Sequence, residues 1–250
     1  MARVLIGTSG WTYSSWKAAF YPETLPSRQY LEFYAREFST TEVNYSFYHL
    51  PRPATYEKWA AQVPEGFMFA VKASRFITHI KRLVDVEEAW GTFLQNALSL
   101  GDHLGPVLFQ FPASFRCDHT RLEAFLEMAQ PRPKAYPVQL VFEFRHVSWF
   151  TEETYRLLKQ SNAALCIADS PRYPRRDVVT ADFAYLRFHG RTQLFASSYT
   201  DAELAGEARQ IKGYMHDGLD VFAYFNNDAE GYAVKNARTL KRLVEGRKRK

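Results

Sequence analysis

Eight short apolar runs, separated by segments with helical spacing, constrain the fold of this 250-residue chain more than any other feature of its sequence. Most of the runs are apolar throughout, which is typical of parallel strands whose two faces are both buried. The predicted strands are residues 4–7, 41–44, 67–72, 107–110, 139–144, 164–168, 184–188 and 221–225. Strands that alternate with helices form a parallel sheet, and eight such units predict closure into a single α/β barrel of the (β/α)8 type. An open doubly wound sheet is the alternative, although no Gly-rich phosphate-binding motif follows the first strand.

Helix-capping residues mark where the intervening helices begin. The predicted helices are residues 27–37, 86–100, 120–129, 152–161, 200–216 and 228–244. Thr200 with Glu203, and Asp85 with Glu88, have the spacing of a capping box. No repeat, low-complexity tract or linker interrupts the alternation, so we expect one domain over residues 1–245, followed by a basic tail over 246–250.

Charge and cysteine content restrict the environment of the protein. The formal net charge is +5, and the tail supplies four positive charges, so the rest of the chain is close to neutral. Cys117 and Cys166 lack ligand-like spacing and do not indicate a disulfide framework, which favours a reducing compartment. The first strand-like run begins close to Met1, leaving no room for a signal peptide, and no apolar stretch is long enough to span a membrane. We therefore expect a cytoplasmic protein with no membrane partner.

Polar side chains collect at the C-terminal ends of the predicted strands. Because residues two apart share a face of a strand, Glu143 lies on the same face as Arg145, and Arg187 lies on the same face as His189. The full set that we expect around one barrel mouth is Glu42, Asn44, Lys72, Gln110, Glu143, Arg145, Asp169, Arg187, His189 and Asn226. Ion pairs such as Glu42–Lys72 or Glu143–Arg187 could simply neutralise each other. However, buried charges are costly, and barrel enzymes place their catalytic groups at this face, which favours a binding or catalytic role.

The residue types indicate acid/base chemistry on a small anion. Glu143 or Asp169 would act as the base and His189 as the acid partner. The groups expected to bind the substrate are Lys72, Arg145 and Arg187 as an anion clamp, Glu42, Asn44, Gln110 and Asn226 as polar contacts, and Trp11 and Trp149 as walls. His79, after the third strand, is a candidate to overhang the pocket. The histidines show no paired metal-ligand spacing, so we expect no metal, and the sequence names no other cofactor.

Several ordered sequence blocks resemble one known family. They are GTSGW at 7–11, TEVNYSFY at 41–48, FAVK at 69–72, LFQFP at 108–112, FEFRH at 142–146, LRFHG at 186–190 and YFNN at 224–227. This set is similar to the domain-of-unknown-function-72 family, also called YecE-like proteins, over nearly the whole chain. Glu42-Val43-Asn44 keeps the Glu-hydrophobic-Asn pattern of the family's second strand. The resemblance implies a TIM barrel and supplies no reaction.

Three functional hypotheses remain open at this point. The first is an enzyme acting on a small phosphate- or carboxylate-bearing, sugar-like substrate. The second is nucleic-acid binding or phosphodiester processing, by analogy with endonuclease IV-type barrels, suggested by the cationic mouth, the basic loop 172–176 and the basic tail. The third is a metabolite sensor that uses the same pocket without turnover. The sequence does not predict an oligomeric state.

Overall fold

The computed structural model describes residues 2–129 and 138–246, and within them eight parallel strands form one sheet. The strands are β1 (Val4–Thr8), β2 (Thr40–Val43), β3 (Met68–Lys72), β4 (Leu104–Gln110), β5 (Leu140–Glu143), β6 (Ala164–Asp169), β7 (Phe183–Phe188) and β8 (Asp220–Phe225). The sheet order is β1-β8-β7-β6-β5-β4-β3-β2. A bridge between Ser9 and Glu42 brings β1 beside β2, so the sheet closes into the predicted barrel.

Eight α-helices lie in the described part of the chain. They are α1 (Tyr30–Tyr34), α2 (Tyr45–Tyr48), α3 (Pro53–Ala60), α4 (Glu87–Ala97), α5 (His119–Ala129), α6 (Glu152–Gln160), α7 (Asp201–His216) and α8 (Tyr232–Glu245). The predicted capping box of Thr200 and Glu203 is confirmed at the start of α7. Sequence reasoning assigned no helix between β2 and β3, where the structure has α2 and α3.

Three predicted helix starts were wrong in detail. The segment from Ser27 begins as a 3-10 turn over Ser27–Gln29, and the α-helix follows it. Asp85 does not cap α4, because its backbone is left-handed (φ 48°) and Val86 occupies the capping position without a side-chain hydrogen bond. Asp228 precedes a 3-10 turn rather than the helix, which starts at Tyr232.

A glycine on β1 permits the close approach that closes the barrel. A Cβ atom on Gly7 would lie 2.2 Å from the carbonyl oxygen of Thr40 on β2. The Tyr34 hydroxyl, from α1, bridges the same two strands: it accepts from the Thr8 amide at 2.9 Å and donates to the Thr40 carbonyl at 3.0 Å. The seam between the first and second strands therefore depends on a residue without a side chain.

The two faces of the strands build two separate apolar cores. The inner core fills the barrel with Leu5, Ala70, Leu108, Val141, Ala164, Cys166, Ala168, Phe183, Tyr185, Phe222 and Tyr224. The outer core lies between strands and helices and contains most of the aromatic residues. Since the inner residues occupy alternate positions, the next inward position at each strand end faces the barrel mouth.

The ends of the chain add little to this picture. The predicted basic tail, 246–250, lies outside the described residues except for Gly246. Among the helices that the structure describes, none combines the length and the apolar character that crossing a bilayer would require.

Candidate active site

Five buried ionisable side chains meet inside the barrel at the C-terminal ends of its strands. Glu42 lies on β2, Lys72 ends β3, Glu143 ends β5, Arg187 lies on β7 and His189 directly follows β7. All five are buried. They continue the inward-facing positions of their strands, as the alternation of side chains requires. We call these five residues the mouth cluster.

Arg187 holds the mouth cluster together by bridging its two carboxylates. Its Nη2 atom donates to Glu42 Oε1 at 2.7 Å, and its Nη1 atom donates to Glu143 Oε2. Glu42 also accepts from the Ser9 hydroxyl at 2.8 Å and from the Tyr185 hydroxyl at 2.7 Å. Burial by itself would raise the pKa of both carboxyl groups, but the Arg187 charge and these hydrogen bonds outweigh it and hold both pKa values below the ordinary range. The two glutamates are therefore carboxylates at neutral pH.

Arg145 extends the cluster toward solvent. Its Nε atom donates to Glu143 Oε1 at 2.8 Å, and its guanidinium lies over the Tyr173 ring, 4.4 Å from the centroid. Its two terminal nitrogens make no hydrogen bond to any part of the chain that the structure describes. They are available to an anion from outside, in the forked geometry that suits carboxylate and phosphate.

His189 is a neutral imidazole and one of the most deeply buried members of the mouth cluster. Its Nε2 atom lies 3.5 Å from Arg187 Nη1 and 3.7 Å from Glu143 Oε1, and its Nδ1 atom lies 3.2 Å from the Asn226 amide nitrogen. Burial, followed by the Arg187 charge, lowers the pKa of His189 to about 4. The ring of Phe195 covers the imidazole edge-on at 5.5 Å. His189 is thus uncharged at neutral pH and shielded from water.

Lys72 is the cluster member whose charge is not paired. Its Nζ atom lies 4.1 Å from the centroid of the Phe47 ring and forms no hydrogen bond or ion pair with any described residue. Burial, followed by the charge of Arg187, lowers the pKa of this amine to about 7. The Glu42–Lys72 ion pair that the sequence suggested is absent, because Arg187 already occupies Glu42, whereas the Glu143–Arg187 pair is present.

A histidine beside Phe47 completes this side of the mouth. His79 lies in a π-helical turn, Phe76–Ile80, that directly follows the β3 region, and such turns occur frequently at functional sites. Its ring meets the Phe47 ring edge-on at 5.0 Å, and its Nδ1 atom contacts the Thr78 hydroxyl at 2.9 Å. Burial, followed by the charge of Lys72, lowers the pKa of His79 to about 4. The predicted overhanging position of His79 therefore places a second neutral imidazole near the Lys72 amine.

Several buried polar atoms around the mouth have no partner. Asn44 Oδ1, Arg187 Nε and Asp228 Oδ1 are inaccessible and make no hydrogen bond within the described part of the chain. Such orphaned atoms are rare in folded proteins and point to a ligand or an ordered water that the site is built to hold. Burial raises the pKa of Asp228 to about 7, so this carboxyl group is close to half-protonated at neutral pH.

Sequence reasoning missed Asp228 as a site residue and interpreted it as a helix cap. The signal was present in the alternation of side chains after β8. Tyr224 faces the barrel interior, and Asn226 and Asp228 continue the same alternate positions. Tyr13, which follows β1, lies beside Asp228: burial and then the Asp228 charge raise the pKa of Tyr13. The hydrogen bond from Tyr13 lowers the pKa of Asp228, but the larger effect of burial outweighs it.

Two expected site residues lie outside the mouth. Asp169 shares its face of β6 with Ile167, which packs in the outer core, and it binds Tyr199 at 2.8 Å and Arg191 at 3.2 Å. Trp149 is fully buried in the same outer layer, stacked on Phe144 at 4.3 Å between centroids. In both cases the side chain points toward the helices, so the structure does not bring either residue to Glu143 or His189.

The remaining expected residues lie around the mouth without joining its ion pairs. Gln110 faces inward from the end of β4 and donates to the Phe111 carbonyl at 2.6 Å, while Asn226 contacts His189. Trp11 is largely buried against Trp59, with ring centroids 5.4 Å apart. Asn44 lies between the mouth and an open neighbouring cavity of about 680 Å³, which Trp11 also lines.

The donor set bears on the question of a metal. Within residues 2–129 and 138–246, no group of three or more His, Cys, Asp or Glu side chains is arranged to hold a metal ion. The two carboxylates of the mouth cluster, Glu42 and Glu143, already form ion pairs with Arg187. The expectation of a metal-free site stays a prediction.

Comparison with known proteins places the chain in a family. A family model described as a protein of unknown function, DUF72, matches residues 5–250. The chain belongs to the DUF72 family. Among its relatives, the UPF0759 protein YunF of Bacillus subtilis is 27% identical, with 97% of this chain and 95% of that protein covered.

Solved structures of DUF72 proteins have the same fold as this one. A DUF72 protein of Thermotoga maritima is 30% identical, with 98% of this chain and 100% of that chain covered at a TM-score of 0.86. A DUF72 protein of Enterococcus faecalis is 21% identical, with 97% of this chain and 96% of that chain covered at a TM-score of 0.80. The second likeness bears on the fold alone. None of these descriptions gives an activity, so the function of this DUF72 protein has to be argued from its site.

Proposed function

We propose that this DUF72 protein is an enzyme that performs general acid/base chemistry on a small anionic, sugar-like substrate at the barrel mouth. The observation that carries the proposal is the arrangement of the mouth cluster. Two carboxylates neutralise one buried arginine, and an unpaired lysine amine lies beside them.

Stability alone is a poor reason for this arrangement. Removing a charge from water costs several kcal/mol per ion, and apolar replacements of buried ion pairs are often equally stable or more stable. The mouth cluster also leaves the Lys72 amine without an ion pair and Arg187 Nε without an acceptor among the described residues. A site that retains these costs at the functional face of a barrel is best explained by ligand binding or catalysis.

Access to solvent divides the cluster into residues that can touch a substrate and residues behind them. Glu42 and His189 are 0% exposed, and Glu143 and Arg187 are 1% exposed, whereas Lys72 is 9% exposed. The side chain of Arg145 is 14% exposed. We therefore propose that Lys72 and Arg145 contact the substrate. Glu143 and His189, expected from the sequence to react directly, would act as positioning residues that set the charge and proton affinity of Lys72.

The charge balance favours an anionic substrate. Glu42 and Glu143 offset Arg187 and Arg145, so when Lys72 and Asp228 are both protonated the mouth carries one excess positive charge. In a site of low dielectric constant, that excess attracts an anion more strongly than it would in water. A carboxylate or phosphate beside Arg145 would neutralise it.

Proton transfer can be detected without knowing the product. The protein is incubated in D2O with short sugar phosphates and sugar acids, and proton NMR follows loss of carbon-bound hydrogen and appearance of new signals. We expect exchange with at least one compound, reduced about a hundredfold or more by Lys72→Met, in line with the loss of a general acid/base.

Matched variants separate the site from general effects on the protein. Glu143→Gln should reduce exchange, whereas Glu153→Gln, at an exposed ion pair on α6, should leave it unchanged. Asp169→Asn should also leave it unchanged if the outward placement of Asp169 is decisive. Exchange that survives both Glu143→Gln and His189→Ala would show that the proposed roles are wrong.

Binding measurements made beside the exchange experiment test the other two hypotheses. Saturable binding of one compound with no exchange and no product would favour a sensor. For nucleic acid, no specific observation favours binding: in the basic loop 172–176, Arg175 is bound to Glu207 at 2.8 and 2.9 Å. DNA or RNA binding that weakens steeply with salt would nevertheless favour that hypothesis over ours.

The proposed location is the cytoplasm. Both cysteines are free, and Cys166 lies in the inner core of the barrel, where burial raises the pKa of its thiol. A protein with unpaired cysteines suits a reducing compartment. Fractionation of cells expressing the full chain would test this expectation.

A further inference from the structure

We propose that Lys72 is a nucleophile that forms an imine with its substrate, so that the substrate is a small aldehyde or ketone carrying a carboxylate or phosphate. This inference rests on the proposed function, because it concerns the same site and names the chemical class of its substrate. Three features of the structure support it: the fixed position of Lys72, its missing partner and the polar groups around its amine.

The backbone at Lys72 is held firmly at the end of its strand. Lys72 pairs with Leu108 on β4, and its carbonyl oxygen accepts from the Ser46 hydroxyl at 2.6 Å. Its side chain follows the inward position of Ala70 in the inner core. The amine is therefore directed along the barrel axis toward the mouth, and the Phe47 ring defines one wall around it.

Among the described residues the Lys72 amine has no counter-ion, because the nearby carboxylates already accept from other groups. Glu42 accepts from Arg187, Ser9 and Tyr185, and Glu143 accepts from Arg187 and Arg145. Buried lysines are normally paired, since an unpaired ammonium loses its hydration without compensation. An amine in this position is stabilised in its neutral form, which is the form that attacks a carbonyl carbon.

The protonation state makes this difference large. With a pKa of about 7, roughly half of the Lys72 amines are neutral at neutral pH. A lysine with the ordinary pKa of about 10.4 is neutral in only about one molecule in 2,500 at the same pH. The surrounding structure therefore supplies a reactive amine at one position of the chain.

The covalent step is balanced without an oxidant or reductant. The nitrogen lone pair attacks the carbonyl carbon, the electrons of the carbonyl π bond move to oxygen, and a proton passes from nitrogen to that oxygen to give a neutral carbinolamine. The hydroxyl group then takes up one proton from solvent and leaves as water, while the nitrogen lone pair forms the carbon–nitrogen double bond of a protonated imine. His79 is half-buried beside Phe47, and its Nε2 atom makes no hydrogen bond to a described residue, which leaves this nitrogen free to accept a proton.

The anionic part of the substrate has a matching place. Arg145 is partly exposed, and its terminal nitrogens make no hydrogen bond to a described residue, so they can bind this group. A protonated imine also draws electrons from the adjacent carbon–hydrogen bond and makes that hydrogen acidic. This gives a physical reason for the proton transfer that the proposed function requires.

Borohydride trapping tests the inference on the intact protein. Wild-type protein is incubated at neutral pH with pyruvate or dihydroxyacetone phosphate and reduced with borohydride, and peptide mapping by mass spectrometry locates the secondary amine. We expect labelling of Lys72 to exceed that of any other lysine by about a hundredfold. This factor is smaller than the ratio of the neutral-amine fractions, because a less basic amine is also less nucleophilic. Acetone, which lacks the anionic group, should label Lys72 less.

Variants and the deuterium exchange assay distinguish the possible failures. Lys72→Met and Lys72→Arg should abolish the label at this position, and Lys159→Met, at an exposed position on α6, should leave it unchanged. Labelling spread evenly over surface lysines, or no label with either probe, overturns the inference. If exchange occurs without a Lys72 label, the proposed function stands and the imine falls. A Lys72 label without exchange supports the imine and removes the acid/base function.

Discussion

Replacing Arg187 with methionine tests whether one buried guanidinium balances the mouth of the barrel. Methionine keeps much of the volume and removes the charge. Glu143 would keep its ion pair with Arg145, but Glu42, which is 0% exposed, would lose the one cationic partner it has among the residues that the structure describes. Removing one partner of a buried pair costs about 3–5 kcal/mol because the remaining charge is uncompensated. For a domain of this size, that corresponds to a fall of roughly 6–20 °C in the unfolding midpoint.

The stability difference between the wild type and Arg187→Met should depend on pH in a definite direction. In the wild type the pKa values of Glu42 and Glu143 lie below their unfolded values, so the stabilisation is present above about pH 4.3 and is lost as the pH falls through the folded-state values. Without Arg187, burial raises the pKa of Glu42 above its unfolded value. The variant is then favoured by protonation, and its deficit relative to the wild type grows as the pH rises through the raised pKa.

Thermal unfolding, followed by tryptophan fluorescence at about pH 5 and pH 8, measures the stability deficit of Arg187→Met at each pH. Both values lie in the range where most proteins are stable. The control is Arg156→Met, which breaks the exposed Arg156–Glu153 pair on α6, where the two side chains are 48% and 47% exposed. Exposed pairs contribute about 0–1 kcal/mol. The reasoning is refuted if the two variants unfold at the same temperature, or if the Arg187→Met deficit is equal at both pH values.

Three further predictions concern the barrel seam, the outer core and Lys72. Gly7→Ala should destabilise the fold by about 1–3 kcal/mol in urea unfolding, because its Cβ would lie 2.2 Å from the Thr40 oxygen; an unchanged midpoint would contradict this reading of the seam. Trp149→Leu should cost about 2–4 kcal/mol through loss of stacking on Phe144, yet leave borohydride labelling at the barrel mouth unaltered; reduced labelling would place Trp149 in the site after all. Lys72→Met should raise the unfolding midpoint at neutral pH. Between about pH 7 and 10 the unfolded chain binds a proton that folded Lys72 does not, so wild-type stability should rise with pH over this window and the variant should lack that rise.

The sequence by itself determined the barrel and most of its mouth. Alternating strands and helices predict the topology, because short crossovers between parallel strands admit few arrangements. The alternation of side chains along a strand assigns Glu42, Lys72, Glu143 and Arg187 to the inward face without any knowledge of the tertiary structure. The same alternation groups Asp169 with Leu165 and Ile167, and the structure turns that face of β6 toward the helices.

Only the tertiary structure decided which charges meet and which remain free. Glu42 and Arg187 are 145 positions apart in the sequence. The distance between these two side chains is set only when β1 closes against β2 and completes the barrel. The sequence offered Lys72 as a partner for Glu42, and the geometry gives that place to Arg187. Whether an inward-facing lysine is a salt-bridge partner or an unpaired amine depends on a competition among neighbouring cations. That competition is settled by distances across the barrel, because Coulomb energies and desolvation depend on position in space and not on position along the chain.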